Sequence, residues 1–529
     1  MIGNLFRKLN FFKLLNDNSD EINADLPSQV AEQKRISRNI NNNLAMIKTI
    51  FSDNYDVVIR DFVIGEDQKV SAFIVFVDGL VQENLINDNI LNPLMLHTRK
   101  IKPETSYSFD YIKKSVLAFA DIKEVDTMEE VVDGIVSGET ALFLSITNKV
   151  LLIDNKGFEA RSVDKPELET VIRGPKESFT ETLQVNTSLL RRKIKNSDLK
   201  LEQLTLGQRT KTKVCIAYMK GIANEKVVGE VKERLERIEI DAILESGYIE
   251  EFIEDAPFSP FPTIGNTEKP DTLAAKILEG RVAIFVDGTP TVLSVPNIFV
   301  ESLMASEDYY SRPYFTSFIR IVRLMALLIT ILFPGIYVAI VPYHPELLPT
   351  ELAISLTVAS EGIPFPVYVE IIVMGFAFEV LREAGVRMPR AVGQAVSIVG
   401  ALILGEAAIS AGIVGAPVVI VTALTAIASF VIPAQLDSIT LIRVLFVAVG
   451  AVMGLPGLVI VFIGVIIHMA SLRSYGVPYI FPIAPFFIAE WKDLFIRVPW
   501  WIMTSRPHLI GTEHRKREKR GQRPDPSKD

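Results

Sequence analysis

From Phe315 to Ile488 the chain is built mostly of Ile, Val, Leu, Ala, Phe and Gly, whereas residues 1–312 are rich in Lys, Glu, Asp and Asn. That break constrains the fold more than any other feature. The apolar stretch reads as a set of membrane-spanning helices, and the polar part as a separate soluble region. The net charge of -8 reflects an acidic excess in the polar part and gives no reason to expect nucleic acid.

Five runs are candidate spans: Leu324–Val341, Ile363–Leu381, Ala391–Glu406, Ile413–Ile432 and Ile442–His468. Each approaches the length needed at about 1.5 Å per residue against a hydrocarbon core of about 30 Å. Residues 343–366, framed by prolines, hold a helix too short to cross. Val477–Ile488 is expected to be interfacial or re-entrant. Pro364, Pro366, Pro417, Pro433 and Pro456 interrupt the spans or end them. Broken helices at membrane depth need protein or a water-filled cavity around them. Arg312, Arg320 and Arg323 flank the first span, Arg382, Arg387 and Arg390 follow the second, Arg443 precedes the last, and the tail is strongly basic. All are expected on the cytoplasmic side. Five crossings would put the tail on the opposite side, so an even number, four or six, is expected. The N-terminus has neither a long apolar core nor a small-residue cleavage site, so no signal peptide is expected and the polar half should be cytoplasmic.

The polar half is duplicated. "KVSAFIVFVDGLVQENLINDNIL" (Lys69–Leu91) and "KTKVCIAYMKGIANEKVVGEVKERL" (Lys211–Leu235) each read as a strand, a glycine and a helix. "VVDGIVSGETALFLSITNKVLLID" (Val131–Asp154) and "LAAKILEGRVAIFVDGTPTVLSVP" (Leu273–Pro296) each read as a helix ending at glycine, then two strands. Gly79 and Gly138 are 59 residues apart, as are Gly221 and Gly280, so one offset of 142 relates both pairs. Each glycine is expected to end an element at positive φ. The fold class is therefore α+β or α/β for a soluble region of two similar lobes, followed by an all-α multi-span membrane domain. The expected domains are an extension (1–54), a first lobe (55–165), a helical connector (166–204), a second lobe (205–312), the membrane domain (313–490) and a basic cytoplasmic tail (491–529). Glu254–Thr272, with Pro257, Pro260, Pro262 and Pro270, is either a long loop of the second lobe or a contact arm with its aromatics displayed.

Catalytic signals are missing. The sequence has no phosphate-binding glycine loop, no dinucleotide fingerprint, no H-E-x-x-H, no C-x-x-C and no G-x-S-x-G. The five histidines are scattered and define no metal site. No enzyme activity, metal or cofactor is expected. Cys215, in an apolar run, is expected to be a small buried hydrophobe, and one cysteine excludes an intrachain disulfide.

Chemistry concentrates instead in charges near the apolar runs. A charge at the bilayer centre costs on the order of 3 kcal/mol on insertion scales, so each needs a reason. Glu370 and Glu379 are nine residues apart, on opposite faces of a helix. Glu379 can pair with Arg382, and Glu383 with Arg387, so Glu379, Arg382, Glu383, Arg387 and Arg390 form a candidate interfacial charge cluster. Glu370 has no neighbouring partner in sequence, and Glu406 ends its run at a Gly/Ser-rich turn. Gln394 and Ser397 lie close to a face carrying Gly393 and Gly400. Glu370, Gln394, Ser397 and Glu406 are the candidate ion path. The alternative for the two carboxylates is an interface or subunit contact.

The long stretch from "FPGIYVAIVPYHPELLPTELAISLTVASEGIPFP" through "GALILGEAAISAGIVGAPVVIVTALTAIASFVIPA", with "SLRSYGVPYIFPIAP", "DVVIRDFVIG" and "FIVFVDGLV", resembles the A subunit of the GerA family of spore germination proteins. The resemblance covers about 36–508. It implies a nutrient germinant receptor in the spore inner membrane, with a transporter-like B subunit and a C lipoprotein as partners. It also implies a homo-oligomer forming an ion channel that opens on nutrient binding. A secondary transporter would also use broken helices and buried carboxylates. A non-conducting membrane scaffold is the third possibility. The repeat lies only in the soluble half, which favours a channel over a transporter.

Overall fold

The computed structural model describes residues 35–65, 70–98, 108–157, 169, 171–388, 403–432, 435–511, 516–518 and 521–524. It divides into two compact units that do not follow chain order. The first holds Met1–Glu254, Ile264–Pro296 and Pro499–Asp529; the second holds Asp255–Thr263 and Asn297–Val498. Part of the proline-rich segment thus packs as an arm of the second unit, and the end of the basic tail belongs to the soluble one.

The first unit contains two five-stranded sheets. In the first lobe, β1 (Val57–Ile64), β2 (Val70–Val77), β3 (Ile122–Val125), β4 (Thr140–Leu144) and β5 (Val150–Ile153) lie in the order β1-β2-β4-β5-β3, and every pairing is antiparallel. In the second, β6 (Leu199–Leu206), β7 (Thr212–Met219), β8 (Gly265–Thr267), β9 (Val282–Val286) and β10 (Val292–Val295) take the order β6-β7-β9-β10-β8, again antiparallel. The lobes are therefore α+β in character, without parallel crossovers.

The offset of 142 holds to the residue. The pair Val57↔Val77 recurs as Leu199↔Met219, and Thr140↔Ile153 as Val282↔Val295. Helix α2 (Met128–Val136) recurs as α6 (Pro270–Leu278). Gly79, Gly138, Gly221 and Gly280 all have positive φ. Central strands β2, β4, β7 and β9 are near-continuous apolar runs because both faces of each sheet are covered. In the first lobe α1 (Ile40–Ile50) and α2 pack on one face through Ile47, Val131 and Ile135. Helical segments over 83–97 close the other through Ile86, Ile90 and Leu94. In the second lobe α3 (Leu183–Lys193) and α6 take the first position, and α4 (Glu225–Glu236) follows β7 where 83–97 follows β2. Helix α5 (Ser246–Ile253) comes next. Cys215 is free and fully buried, and burial pushes its thiol pKa well up, so it is an inert core residue.

One charged contact ties the lobes together. Arg191 on α3 is fully buried and donates to both Asp56 oxygens, Nε to Oδ2 at 2.8 Å and Nη2 to Oδ1 at 2.9 Å. Nη2 also donates to Asn54 Oδ1 at 2.8 Å. The same Asn54 oxygen accepts from Leu201 N of β6, and Tyr55 N donates to Leu201 O. The segment 54–56, between α1 and β1, is thus stitched to the edge of the second sheet.

The second unit is helical. Its elements are α7 (Pro313–Tyr343), α8 (Thr350–Ser360), α9 (Val367–Arg387), a helical stretch at 403–410, α10 (Ala416–Ser429) and α11 (Leu436–Ser471). Helices α7 and α11 are long and apolar enough to cross a membrane. Helix α8, eleven residues long, is too short, as its sequence indicates.

Helix α11 is not one rod. Ser438 donates to the carbonyl of Pro260, while Ser259 hydrogen-bonds His468 at 2.9 Å. A straight helix would hold residues 438 and 468 about 45 Å apart, beyond the reach of two adjacent residues. At the ends, Gln435 donates to the Tyr479 hydroxyl, and Tyr479 N donates to Leu472 O. The chain reverses at Gly454, whose φ of 63° and ψ of -151° lie in a region essentially confined to glycine. Pro456 opens the second leg, where a missing N–H costs nothing. The run Ile442–His468, which reads as one span, is two antiparallel legs.

Packing fixes the remaining directions. Ala326 and Leu327 of α7 cluster with Ile439, Val338 with Val447, and the Tyr343 hydroxyl donates to Ala451 O, so α7 and the first leg of α11 are parallel. Helix α9 is antiparallel to that leg, because Glu379 meets Arg443 and Ile371 lies with Val447. Helix α10 starts beside the start of α9 and ends, through Ala428 and Ile432, near Ala326 and Leu327.

Candidate functional site

The charges singled out by sequence are distributed along α9 and its neighbours. Glu370 sits in the first turn of α9 and is only 2 % exposed. Its partner is distant in sequence: Gly415 N donates to Glu370 Oε2 at 2.7 Å. Gly415 is the N-cap of α10, so the carboxylate satisfies an unpaired amide and faces the positive end of a helix dipole. Sequence proximity shows no partner for Glu370, but the fold supplies one 45 residues away. Val367, Ile371, Met374, Val414 and Val418 surround the pair in one apolar cluster.

Glu379 lies on the opposite face, about 14 Å along the axis at 1.5 Å per residue. It pairs with Arg382 on its own helix and with Arg443 in the first leg of α11. The Arg382 partner is legible at three-residue spacing; Arg443 is not. Glu383 and Arg387 form an exposed i,i+4 pair. Arg390, Gln394 and Ser397 lie outside the described residues. Glu406 is exposed on the 403–410 helix and is the candidate path residue that a single chain leaves open.

A second charge network escapes sequence reasoning because its members come from three separate segments. Arg320 and Arg323, read as flanks of the first span, lie inside α7 and are buried. Arg320 Nε donates to Asp308 Oδ2 at 3.1 Å and Nη1 to Asp493 Oδ1 at 2.8 Å; Arg323 Nη1 donates to Asp308 Oδ2 at 2.7 Å. Burial of these cations is tolerable because each is paired and hydrogen-bonded. The proline-rich arm reaches the same unit: Phe261 is buried against Tyr479 and Phe299, while Phe258 is fully exposed.

Among the described residues no group of three His, Cys, Asp or Glu side chains could hold a metal ion. The polar groups satisfy one another across helices, the pattern of a packed apolar bundle that carries charge at chosen depths.

A duplicated α+β unit in one chain with an apolar helical bundle, two of whose helices are long and apolar enough to cross a membrane, makes a two-part protein. The chain belongs to the GerA family: residues 45–509 match the Bacillus/Clostridium GerA spore germination protein. It is 42% identical over 494 residues to spore germination protein KA of Bacillus subtilis, covering 93% of this chain and 90% of the relative. It is 41% identical over 525 residues to the B. subtilis membrane protein YfkQ, covering 99% and 98%. Among solved structures it is similar to the N-terminal domain of the A subunit of the Bacillus megaterium spore germinant receptor GerK3, at 37% identity and a TM-score of 0.41, covering 50% of this chain and 97% of that one. Family and relatives together give the chain a role in spore germination.

Proposed function

We propose that this chain is the A subunit of a nutrient germinant receptor that spans the spore inner membrane and assembles, with copies of itself, around a nutrient-gated cation path. B and C receptor subunits are its expected partners. The observation that carries the reading is the outer surface of the second unit. Phe318, Phe376, Ile420, Leu441, Val452 and Ile460 are exposed there, far more apolar surface than water tolerates on a monomer. Lipid and neighbouring subunits are the two surroundings that suit it.

Helix directions support six crossings: α7, α9, α10 and the two legs of α11, together with the span expected at Ala391–Glu406, most of which lies outside the described residues. Each leg of α11, about 17 residues and about 25 Å, is near the minimum span. Six crossings return the tail to the side from which the chain enters, and Arg312, Arg387 and the basic tail favour the cytoplasm for that side.

Of the two lumen candidates the geometry favours Glu406. Glu370 is enclosed by its own chain, whereas Glu406 is open to whatever a ring of subunits encloses, and a ring repeats the carboxylate around its axis. Cation flux through proteoliposomes tests this. Glu406→Gln should lower conductance or shift selectivity with assembly intact, whereas Glu370→Gln should act through stability. Parent-like flux in assembled Glu406→Gln removes Glu406 from the path. Flux coupled to a solute would favour a transporter, and no flux from an intact assembly a scaffold.

A further inference from the structure

The internal repeat has one gap, and the chain fills it from elsewhere. In the first lobe the segment after β5 turns back: Lys156 bridges Val81, Gln82 N donates to Asn155 O at 3.0 Å, and Gly157 N donates to Leu80 O at 3.1 Å. The residue 142 positions after Val81 is Ala223. The chain after β10 cannot close on it, because from Asn297 it belongs to the second unit. Ala223 is bridged instead by Gly511.

The packing is equivalent as well as the pairing. A Cβ on Gly138 would meet Leu80 O at 3.2 Å and Lys156 Cγ at 3.3 Å. On Gly280, its counterpart, it would meet Gly511 Cα at 2.9 Å and Ile222 O at 3.0 Å. The incoming segment is anchored beyond that point. Met503 and Ile510 are buried. Arg506 Nε donates at 2.7 Å to Leu278 O, a last-turn carbonyl of α6 that has no partner within its helix. Arg517 reaches Glu279 at 3.5 Å and lies over the Trp500 ring. A Ser505–Lys516 bridge and a bond from Arg517 N to Thr504 O fold the segment on itself.

We propose that the second lobe is a split unit closed by the chain's own C-terminal segment, through the described residues 499–511 with Lys516 and Arg517, and that residues 297–498 are an insertion within that lobe. The surface between Ala223 and Glu279 is then a docking site for this one segment, and the tail is a structural part of the receptor's soluble region.

Hydrogen exchange on the full-length chain in detergent tests the proposal, with the first lobe as internal control. Gly511→Val drives a side chain toward Glu279 O, where even a Cβ would come to 3.0 Å. Residues 219–225 and 276–282 should then exchange at least about tenfold faster, while 77–83 and 134–140 keep the parent rate. Arg506→Ala, which spares the backbone, should produce a smaller change in the same two segments. A chain ending at 498 should lose that protection and regain it when a synthetic peptide of residues 499–518 is added, and a scrambled peptide should not restore it. Unchanged protection in the second lobe of both point variants, or equal loss in both lobes, would overturn the proposal.

Discussion

Truncating Asp56 to alanine should weaken the soluble unit far more than deleting one small side chain would suggest. Arg191 would keep its charge, fully buried, with Asn54 Oδ1 as a remaining acceptor and Nη1 already without a partner. Removing one member of a buried pair costs about 3–5 kcal/mol, because the other charge is left uncompensated. The upper half of that range is expected, since the pair is bidentate and both members are under 5 % exposed. The double variant Asp56→Leu/Arg191→Met should recover most of the loss, to within about 1 kcal/mol of the parent, because apolar replacement removes both desolvation costs. Pulse proteolysis in urea, read on fragments of the first unit, measures this. At an m-value of about 2–3 kcal/mol per molar, Asp56→Ala should lower the midpoint by about 1.3–2.5 M. A single variant costing less than about 1 kcal/mol, or a double variant no better than the single, would refute the reasoning that this pair locks the lobes.

Gly454→Ala should cost about 1–3 kcal/mol in detergent, seen as an earlier thermal midpoint, because φ 63° with ψ -151° is closed to alanine and its Cβ would sit 3.1 Å from His344 Nε2. Gly464→Ala, where a Cβ meets nothing within 4 Å, is the matched control and should be neutral or better. Glu250 on α5 is partly buried beside Glu254, Glu245 and Glu251, and desolvation first, then those charges, push its pKa up to about 7. Its folded pKa lies above the unfolded value of 4.5, so it lowers stability as pH rises from about 4.5 through 7. Glu250→Gln should stabilise the soluble unit at pH 8 by about 1 kcal/mol, after discounting for its partial exposure, and change little at pH 4. Glu379→Ala leaves Arg382 and Arg443 facing each other and should destabilise by about 2–4 kcal/mol; restoring stability with a second change, Arg443→Leu, would mark the loss as electrostatic.

The soluble fold was legible because duplication doubles each weak signal. Neither "FIVFV" nor "VAIFV" alone separates a strand from a buried helix, but Gly79, Gly138, Gly221 and Gly280 at one offset mark where elements must end. Sequence left parallel and antiparallel pairing open, since both give apolar central strands. The lobe-locking pair was out of reach: Asp56 and Arg191 are 135 residues apart, and nothing local marks either as buried. In the apolar half, Glu379–Arg382 was visible at helical spacing, while Glu370–Gly415 and Glu379–Arg443 depend on how separate helices pack. The reversal at Gly454 was hidden by composition. The sequence around it, "MGLPGL", stays hydrophobic through the turn, so hydropathy runs unbroken where the backbone turns back.

That reversal has a consequence for how such a chain is made. In the proposed six-crossing topology, two legs joined by a one-residue turn enter a bilayer together or stay out together, so an insertion error there would remove two crossings at once. Parity is conserved through the mistake, and the C-terminal segment of the proposed topology still emerges on the side it would otherwise reach. A single long span in the same place would strand that segment across the membrane whenever it failed to insert.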